Sequence, residues 1–212
     1  MIINGIIGIV VGYLLGSIPS AYLAARRAKG KDIRQLGSGN VGGLNTYREI
    51  GTKSAVAVAI VDIGKGAAAV AVAYWLLDLS QLWVLAAGLA AVIGHMWMVW
   101  LKFSGGKGVG TTVGVLATLM PVYGYWPGLI IFLVIIVIPL LITRNVALST
   151  STALACLPII MWQVTHQGYF IIWSIVLGII IGLKYLPTAR SAWAKAENKR
   201  DFFFDRWRRQ ER

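Results

Sequence analysis

Along this chain the apolar positions gather into long blocks, and the polar and charged positions fall between them. A block of about 20 apolar residues is long enough for a helix to cross the hydrocarbon core of a bilayer. Seven such spans are predicted, over residues 3–25, 54–77, 81–101, 108–122, 125–143, 146–165 and 168–186. The fourth is short, and Pro121 and Pro127 interrupt the fourth and fifth, so one bent helix is the alternative for that pair. The pattern describes an all-α integral membrane protein.

Charge adds an orientation. Arg26, Arg27, Lys29, Lys31 and Arg34 lie between the first two spans, with Arg48 and Lys53 further along the same loop. Lys102 and Lys107 lie between spans three and four, Arg144 between five and six, and nine basic residues from Lys184 onward. The connections around Leu79, Tyr123 and Gln167 contain no Lys or Arg. Basic loops stay cytoplasmic, which puts the N-terminus outside and the C-terminus inside and requires an odd number of spans; seven and five both satisfy this. The net charge of +12 is thereby accounted for as a topology signal, without a nucleic-acid partner.

Residues 1–188 read as one membrane domain, and residues 189–212 as a basic, amphipathic cytoplasmic tail ending FFFDRWRRQER. That tail is suited to lie on anionic lipid through Phe202, Phe203 and Trp207; a solvated helix is the alternative. Cys156, the single cysteine, falls within a span and offers neither an intrachain disulfide nor a thiolate metal site. The first apolar run is long and lacks a preceding basic segment, so no cleaved signal peptide is expected.

The polar chemistry collects in the inner loops. In "LGSGNVGGLNTYREIG", residues 36–51, the glycines permit positive φ and let backbone N–H groups converge on an anion. Gly37, Ser38, Gly39, Asn40 and Asn45 are candidate ligand contacts, and Arg48 offers a planar fork suited to phosphate or carboxylate. A tight turn entering span two is the competing account of the glycines. In "FSGGKGVGTT", residues 103–112, the G-x-x-x-x-G-K-[ST] pattern of a nucleotide P-loop fails twice, at Leu101 and at Gly108. What remains is Gly105, Gly106, Lys107 and Gly108 at the start of span four, where the helix dipole favours an anion. Lys102 fits a boundary lysine that snorkels; Lys107, set between glycines, does not.

Asp62 and Lys65 stand three apart on span two and can pair, either as a functional group at membrane depth or as a structural pair. His95, near the inner end of span three, is a ligand contact or an interhelical hydrogen bond; His166 lies at the outer face without a role. No catalytic triad, paired carboxylates or metal-ligand cluster converges on the inner face, and no cofactor is implied. The residues by themselves describe a membrane protein with an inward-facing site for phosphorylated, amphiphilic small molecules. A ligand bound there brings part of its own machinery.

"GSIPSAYLAARRAKGKDIRQLGSGNVGGLNTYREIGTKSAVAVAIVDIGKG" resembles the first signature block of the bacterial acyl-phosphate:glycerol-3-phosphate acyltransferases, the PlsY family. "GHMWMVWLKFSGGKGVGTT" resembles the second, and the likeness covers roughly residues 10–188. The resemblance implies a seven-span enzyme of the bacterial inner membrane. It moves a fatty acyl group from acyl phosphate to the 1-hydroxyl of glycerol 3-phosphate, and a substrate phosphate accepts the hydroxyl proton. Carried over, Lys107, Ser38 and Arg48 match catalytic positions, and Asn45 matches a position that holds a phosphate or the reacting carbonyl. His95, Asp62 and Lys65 match other signature positions. In the third block, "RNVALST", Arg144 and Ser149 are kept but a serine is Ala147. By ungapped register, Tyr185 and Thr188 stand where the family has His and Asn. Gly43, Leu44 and Met98 are further departures. Each donor lost to a bound phosphate costs about 1.5–3 kcal/mol.

Three readings follow. The first is an acyltransferase of this family. The second is a non-catalytic or acceptor-altered paralogue that binds acyl phosphate or phospholipid at the inner membrane face. The third, a transporter or channel, needs a continuous polar path, and the outer halves of the spans offer almost none.

Overall fold

The computed structural model describes residues 2–195, which are helical throughout apart from turns and loops. Met1 and residues 196–212 lie outside the described part, and with them Phe202, Phe203 and Trp207 of the expected tail. The α-helices run α1 (Ile2–Gly16), α2 (Ser20–Lys29), α3 (Gly43–Glu49), α4 (Thr52–Ala71), α5 (Gln81–Met96), α6 (Val109–Val122), α7 (Trp126–Thr143), α8 (Val146–Thr165) and α9 (Gly168–Lys195). Six stretches are long and apolar enough to span: Ile2–Lys29, Thr52–Leu76, Gln81–Leu101, Trp126–Thr143, Val146–Thr165 and Gly168–Ser191. Val109–Val122 is a shorter apolar helix.

The differences from the sequence pattern have local causes. The first span is not one helix: Ser17–Ile18–Pro19 breaks it, because proline lacks an amide donor and disfavours helix in the residue before it. α2 then ends in Arg26, Arg27 and Lys29 and stops at Gly30, whose φ of 65° suits a left-handed cap. The bent-helix alternative for spans four and five does not form. α6 and α7 are separate helices, with Gly124 at φ 79° in the turn between them. α9 runs unbroken through Thr188 to Lys195.

The described residues form two compact units, divided after Gly124. In the first, α1 packs along α5 and α4 along α6. Helices in lipid associate through small residues that let backbones approach. α1 buries Gly5, Gly8, Gly12 and Gly16 on one side, and a Cβ at Gly16 would overlap the Ala91 carbonyl of α5. Likewise a Cβ at Gly114 of α6 would overlap the Ile63 carbonyl of α4. These contacts fix the register of α4 against α6, which sets the loops at their ends. In the second unit α7 packs on α8 and α8 on α9, around the buried Phe132, Leu157, Phe170 and Leu177.

Candidate functional site

Asn45 organises the first glycine loop. It lies in α3 and is buried, and its Oδ1 accepts from both the backbone N–H and the hydroxyl of Ser38, each at 3.1 Å. Its Nδ2 donates to the carbonyls of Leu36 at 3.0 Å and Asn40 at 3.1 Å. Gly37 (φ 53°) and Gly39 (φ 70°) make the reversal that brings Ser38 back over α3. The loop thus presents Ser38, Gly37 and Arg48 at the surface, with the amide of Asn45 committed to its frame.

A bidentate ion pair fastens the preceding turn. Arg34 donates through Nε and Nη2 to Asp32, the closest approach being 2.6 Å, and through Nη1 to the Leu101 carbonyl at 3.0 Å. The guanidinium beside it holds the Asp32 carboxyl below the usual carboxylate range. The first loop is therefore tied directly to the turn that leads into the second.

That second loop closes on itself tightly. Met98 accepts from the Phe103 amide and His95 from the Gly106 amide, at 2.9 and 3.0 Å. Lys102 and Phe103 both adopt positive φ, 54° and 58°, a conformation that ordinary side chains rarely take. Gly108, at φ 83°, starts α6. Lys107 is half-buried, whereas Lys102 is exposed. Burial, and then the positive charge of Arg48, push the Lys107 ammonium below its ordinary pKa. The structure thus brings Lys107 and Arg48, from different loops, within electrostatic reach of each other at the N-terminal end of α6. Two cations beside glycine amides and a helix N-terminus form an arrangement that a bound anion stabilises.

Asp62 and Lys65 do pair, at 2.8 Å. Asp62 Oδ1 also accepts from the Ser20 hydroxyl at 2.7 Å and lies 3.5 Å from His95 Nδ1, while Lys65 Nζ donates to the Ile18 carbonyl at 3.1 Å. All four side chains are buried. Ser20 was not predicted. Its only signal in the sequence is its place after a helix-breaking proline. The buried hydroxyls of Thr111 and Thr112, in the first turn of α6, have no hydrogen-bond partner among the described residues. An apolar crevice of about 550 Å³, lined by Ala67, Ala71, Trp75, Ala117 and Pro121, lies at the other end of α4 and α6 from Lys107. Among the described residues, no group of three or more His, Cys, Asp or Glu is placed to hold a metal ion.

In the second unit, Arg144 is exposed at φ 55° after α7, and Ser149 is buried, its hydroxyl donating to the Asn145 carbonyl at 2.8 Å. The hydroxyls of Thr150 and Tyr185 lie 3.4 Å apart, so the "RNVALST" and "KYLPTAR" segments meet within this unit.

An all-helical, multi-pass membrane scaffold with a cationic, glycine-lined loop pair is the class that fold and site define. The profile of the family described as Glycerol-3-phosphate acyltransferase matches residues 6–195, and the chain belongs to that family. It is 47% identical over 201 residues to "Glycerol-3-phosphate acyltransferase 1" of Dehalococcoides mccartyi, covering 95% of this chain and 97% of that one. It is 37% identical over 193 residues to the "Glycerol-3-phosphate acyltransferase" of Geotalea daltonii, covering 91% and 96%. Its fold is similar to the crystal structure of PlsY, an integral membrane glycerol 3-phosphate acyltransferase, in the glycerol 3-phosphate form. There the TM-score is 0.79 at 28% identity, over 92% of this chain and 94% of that one. The same protein in its lysophosphatidic acid form gives a TM-score of 0.77.

Proposed function

We propose that the chain is a multi-pass enzyme of the bacterial inner membrane that acylates glycerol 3-phosphate with acyl phosphate as donor. Family membership carries the acyltransferase activity and the acceptor; nothing in the fold or in the relatives favours a non-catalytic or acceptor-altered paralogue. The donor, the residue roles and the orientation of the basic loops toward the cytoplasm are our reading. The observation behind the residue roles is that Lys107 stands half-buried at the glycine-lined start of α6, within electrostatic reach of Arg48.

In this reading Lys107, Arg48 and the amides around Gly105, Gly106 and Gly108 hold the phosphate of the donor. Positive charge there stabilises the phosphate as it leaves and the oxyanion that forms on the acyl carbon. The 1-hydroxyl of glycerol 3-phosphate attacks that carbon, the bond from the acyl carbon to the phosphate oxygen breaks, and a phosphate of the substrates takes the hydroxyl proton. Ser38 is positioned by Asn45 to hydrogen-bond a substrate oxygen. Asn40 and Gly39 shape that loop; Arg144 and Ser149 are assigned substrate contact on the resemblance. The products are lysophosphatidate and inorganic phosphate, small molecules and lipids that require no further partner.

Purified protein in lipid, supplied with palmitoyl phosphate and labelled glycerol 3-phosphate, should yield labelled lysophosphatidate and phosphate in equal amounts. Phosphate without labelled lipid would instead indicate hydrolysis or another acceptor. Neither product, with retained acyl-phosphate binding, would return the reading to a binding protein.

A further inference from the structure

The side chains of Asp62 and His95 are 7% and 4% exposed, too enclosed to meet a substrate directly. Yet the glycine–lysine loop is wrapped around them. Gly105 rests on the carbonyls of His95 and Met96, and a Cβ there would overlap both regions. A Cβ at Gly106 would overlap both the Nε2 edge of the His95 ring and the Val41 carbonyl of the first loop. The Gly106 amide donates to the His95 carbonyl at 3.0 Å. Past Lys107, Gly108 packs on Val92 and Met96, and a Cβ at Gly110 would stand 3.1 Å from Asp62 Cβ. Both ends of the segment that carries Lys107 therefore bear on one buried pair.

The pair is itself held in place. Asp62 Oδ1 is shared by the Ser20 hydroxyl, the Lys65 ammonium and the Nδ1 side of His95, and Lys65 is tied to the Ile18 carbonyl. His95 Nδ1 stands 3.5 Å from that carboxylate, and the close packing of the ring, 4% exposed, sets its Nε2 edge as a wall against the loop. Only glycine fits between that wall and Val41.

We propose that Asp62 and His95 are positioning residues that act through Gly106, aiming Lys107 at the donor phosphate, and that Ser20 and Lys65 lock the pair. The inference rests on the reading of Lys107 as a phosphate ligand, and it gives the membrane-depth ion pair a task at the loop above it. A merely structural pair would lower all activities together; a positioning pair acts only through Lys107.

A double-mutant cycle separates the two. Full-length protein in lipid nanodiscs is titrated with hexadecylphosphonate, a surrogate for acyl phosphate that cannot transfer its chain. His95→Asn and Gly106→Ala should each weaken binding by about tenfold with Lys107 present, and by less than about twofold in the Lys107→Ala background. Equal losses in both backgrounds, or no loss in either, would overturn the proposal. Gly106→Ala replaces no member of the buried cluster, although its Cβ must displace the His95 ring or the Val41 carbonyl, and it carries the test if His95→Asn does not fold. In the transfer assay His95→Asn, whose amide can still face Asp62, should retain more activity than His95→Leu; equal activity would count against the proposal. Unchanged phosphonate binding in Lys107→Ala alone would also overturn it, while transfer by the unaltered protein would leave the acyltransferase reading standing.

Discussion

Asn45 Oδ1 receives two hydrogen bonds from Ser38, one from its backbone and one from its hydroxyl, across a loop that reverses at two left-handed glycines. The two side chains differ in what they can do next. Asn45 is buried and its donors are spent on loop carbonyls, whereas Ser38 is exposed.

Asn45→Ala should therefore cost stability as well as turnover. It leaves the Ile33 carbonyl and the part-buried Leu36 and Asn40 carbonyls without their donor, each costing about 1 kcal/mol. Ser38→Ala removes one exposed hydroxyl and should cost about 0.5–1.5 kcal/mol of stability while lowering transfer far more. Thermal unfolding in detergent, set beside initial rates, checks the contrast. Equal ratios of lost activity to lost stability would remove Ser38 from the chemistry.

Lys107 and Lys102 should separate in the same way. Lys107→Ala should weaken phosphonate binding by about a hundredfold, still within a measurable range, with little change in expression or unfolding temperature. Lys102→Ala, at an exposed turn position, should change binding by less than about twofold. Similar mild effects would make both of them boundary lysines.

Alkaline pH offers a further check with a definite sign. Burial and Arg48 both disfavour the Lys107 ammonium, so its loss as pH rises begins below the range of an ordinary lysine. Phosphonate affinity should fall along that limb. Arg48→Gln removes one of the two causes, so the limb should move to higher pH even as overall affinity drops. A limb unmoved by Arg48→Gln would mean that another group is titrating.

How far the sequence carried these inferences depends on the range of the interaction. The placement of the apolar helices followed from hydropathy, because bilayer thickness sets span length whatever the partner helices do; of the seven expected spans, the fourth, Val109–Val122, falls short of spanning length. The break at Ser17–Pro19 was local chemistry hidden inside an apolar run. Asp62 and Lys65 are neighbours on one helix face, so their pairing was visible. His95 and Ser20 join that pair only through tertiary packing of α2, α4 and α5, and no periodicity reports it. Asn45 was visible as polar and loop-borne, but its use as the loop's own scaffold arises only when residues 36–45 fold back on one another.

Close helix packing predicts an asymmetry between two glycines outside the site. A Cβ at Gly114 meets the Ile63 backbone, which cannot rotate away, so Gly114→Ala should destabilise by about 1–3 kcal/mol. Gly64, exposed on α4 with nothing within 4 Å of its virtual Cβ, should tolerate alanine and gain about 0.5–1 kcal/mol of helix stability. Opposite signs in thermal unfolding would support the α4–α6 contact; equal signs would displace it.

The last prediction concerns the divergent third block. Thr150 and Tyr185 bring the two segments that depart from the family pattern within hydrogen-bonding distance in the second unit. Ala147 sits on the same first turn of α8 as the buried Ser149, and Thr188 follows Tyr185 by three residues on α9. If these positions face the acceptor, the chain holds glycerol 3-phosphate with fewer donors than the family pattern implies. Ala147→Ser, Tyr185→His and Thr188→Asn made together should then lower KM for glycerol 3-phosphate by about tenfold, the equivalent of one added donor to a charged phosphate. KM for acyl phosphate, which depends on Lys107 and Arg48 in the first unit, should change by less than about twofold. The triple change is needed because donors to one ligand do not add independently. Tyr185→Phe serves as the control, since it removes only the hydroxyl shared with Thr150. A fall in transfer for the triple variant, matched by Tyr185→Phe, would show that the Tyr185 hydroxyl has replaced the imidazole as the working group.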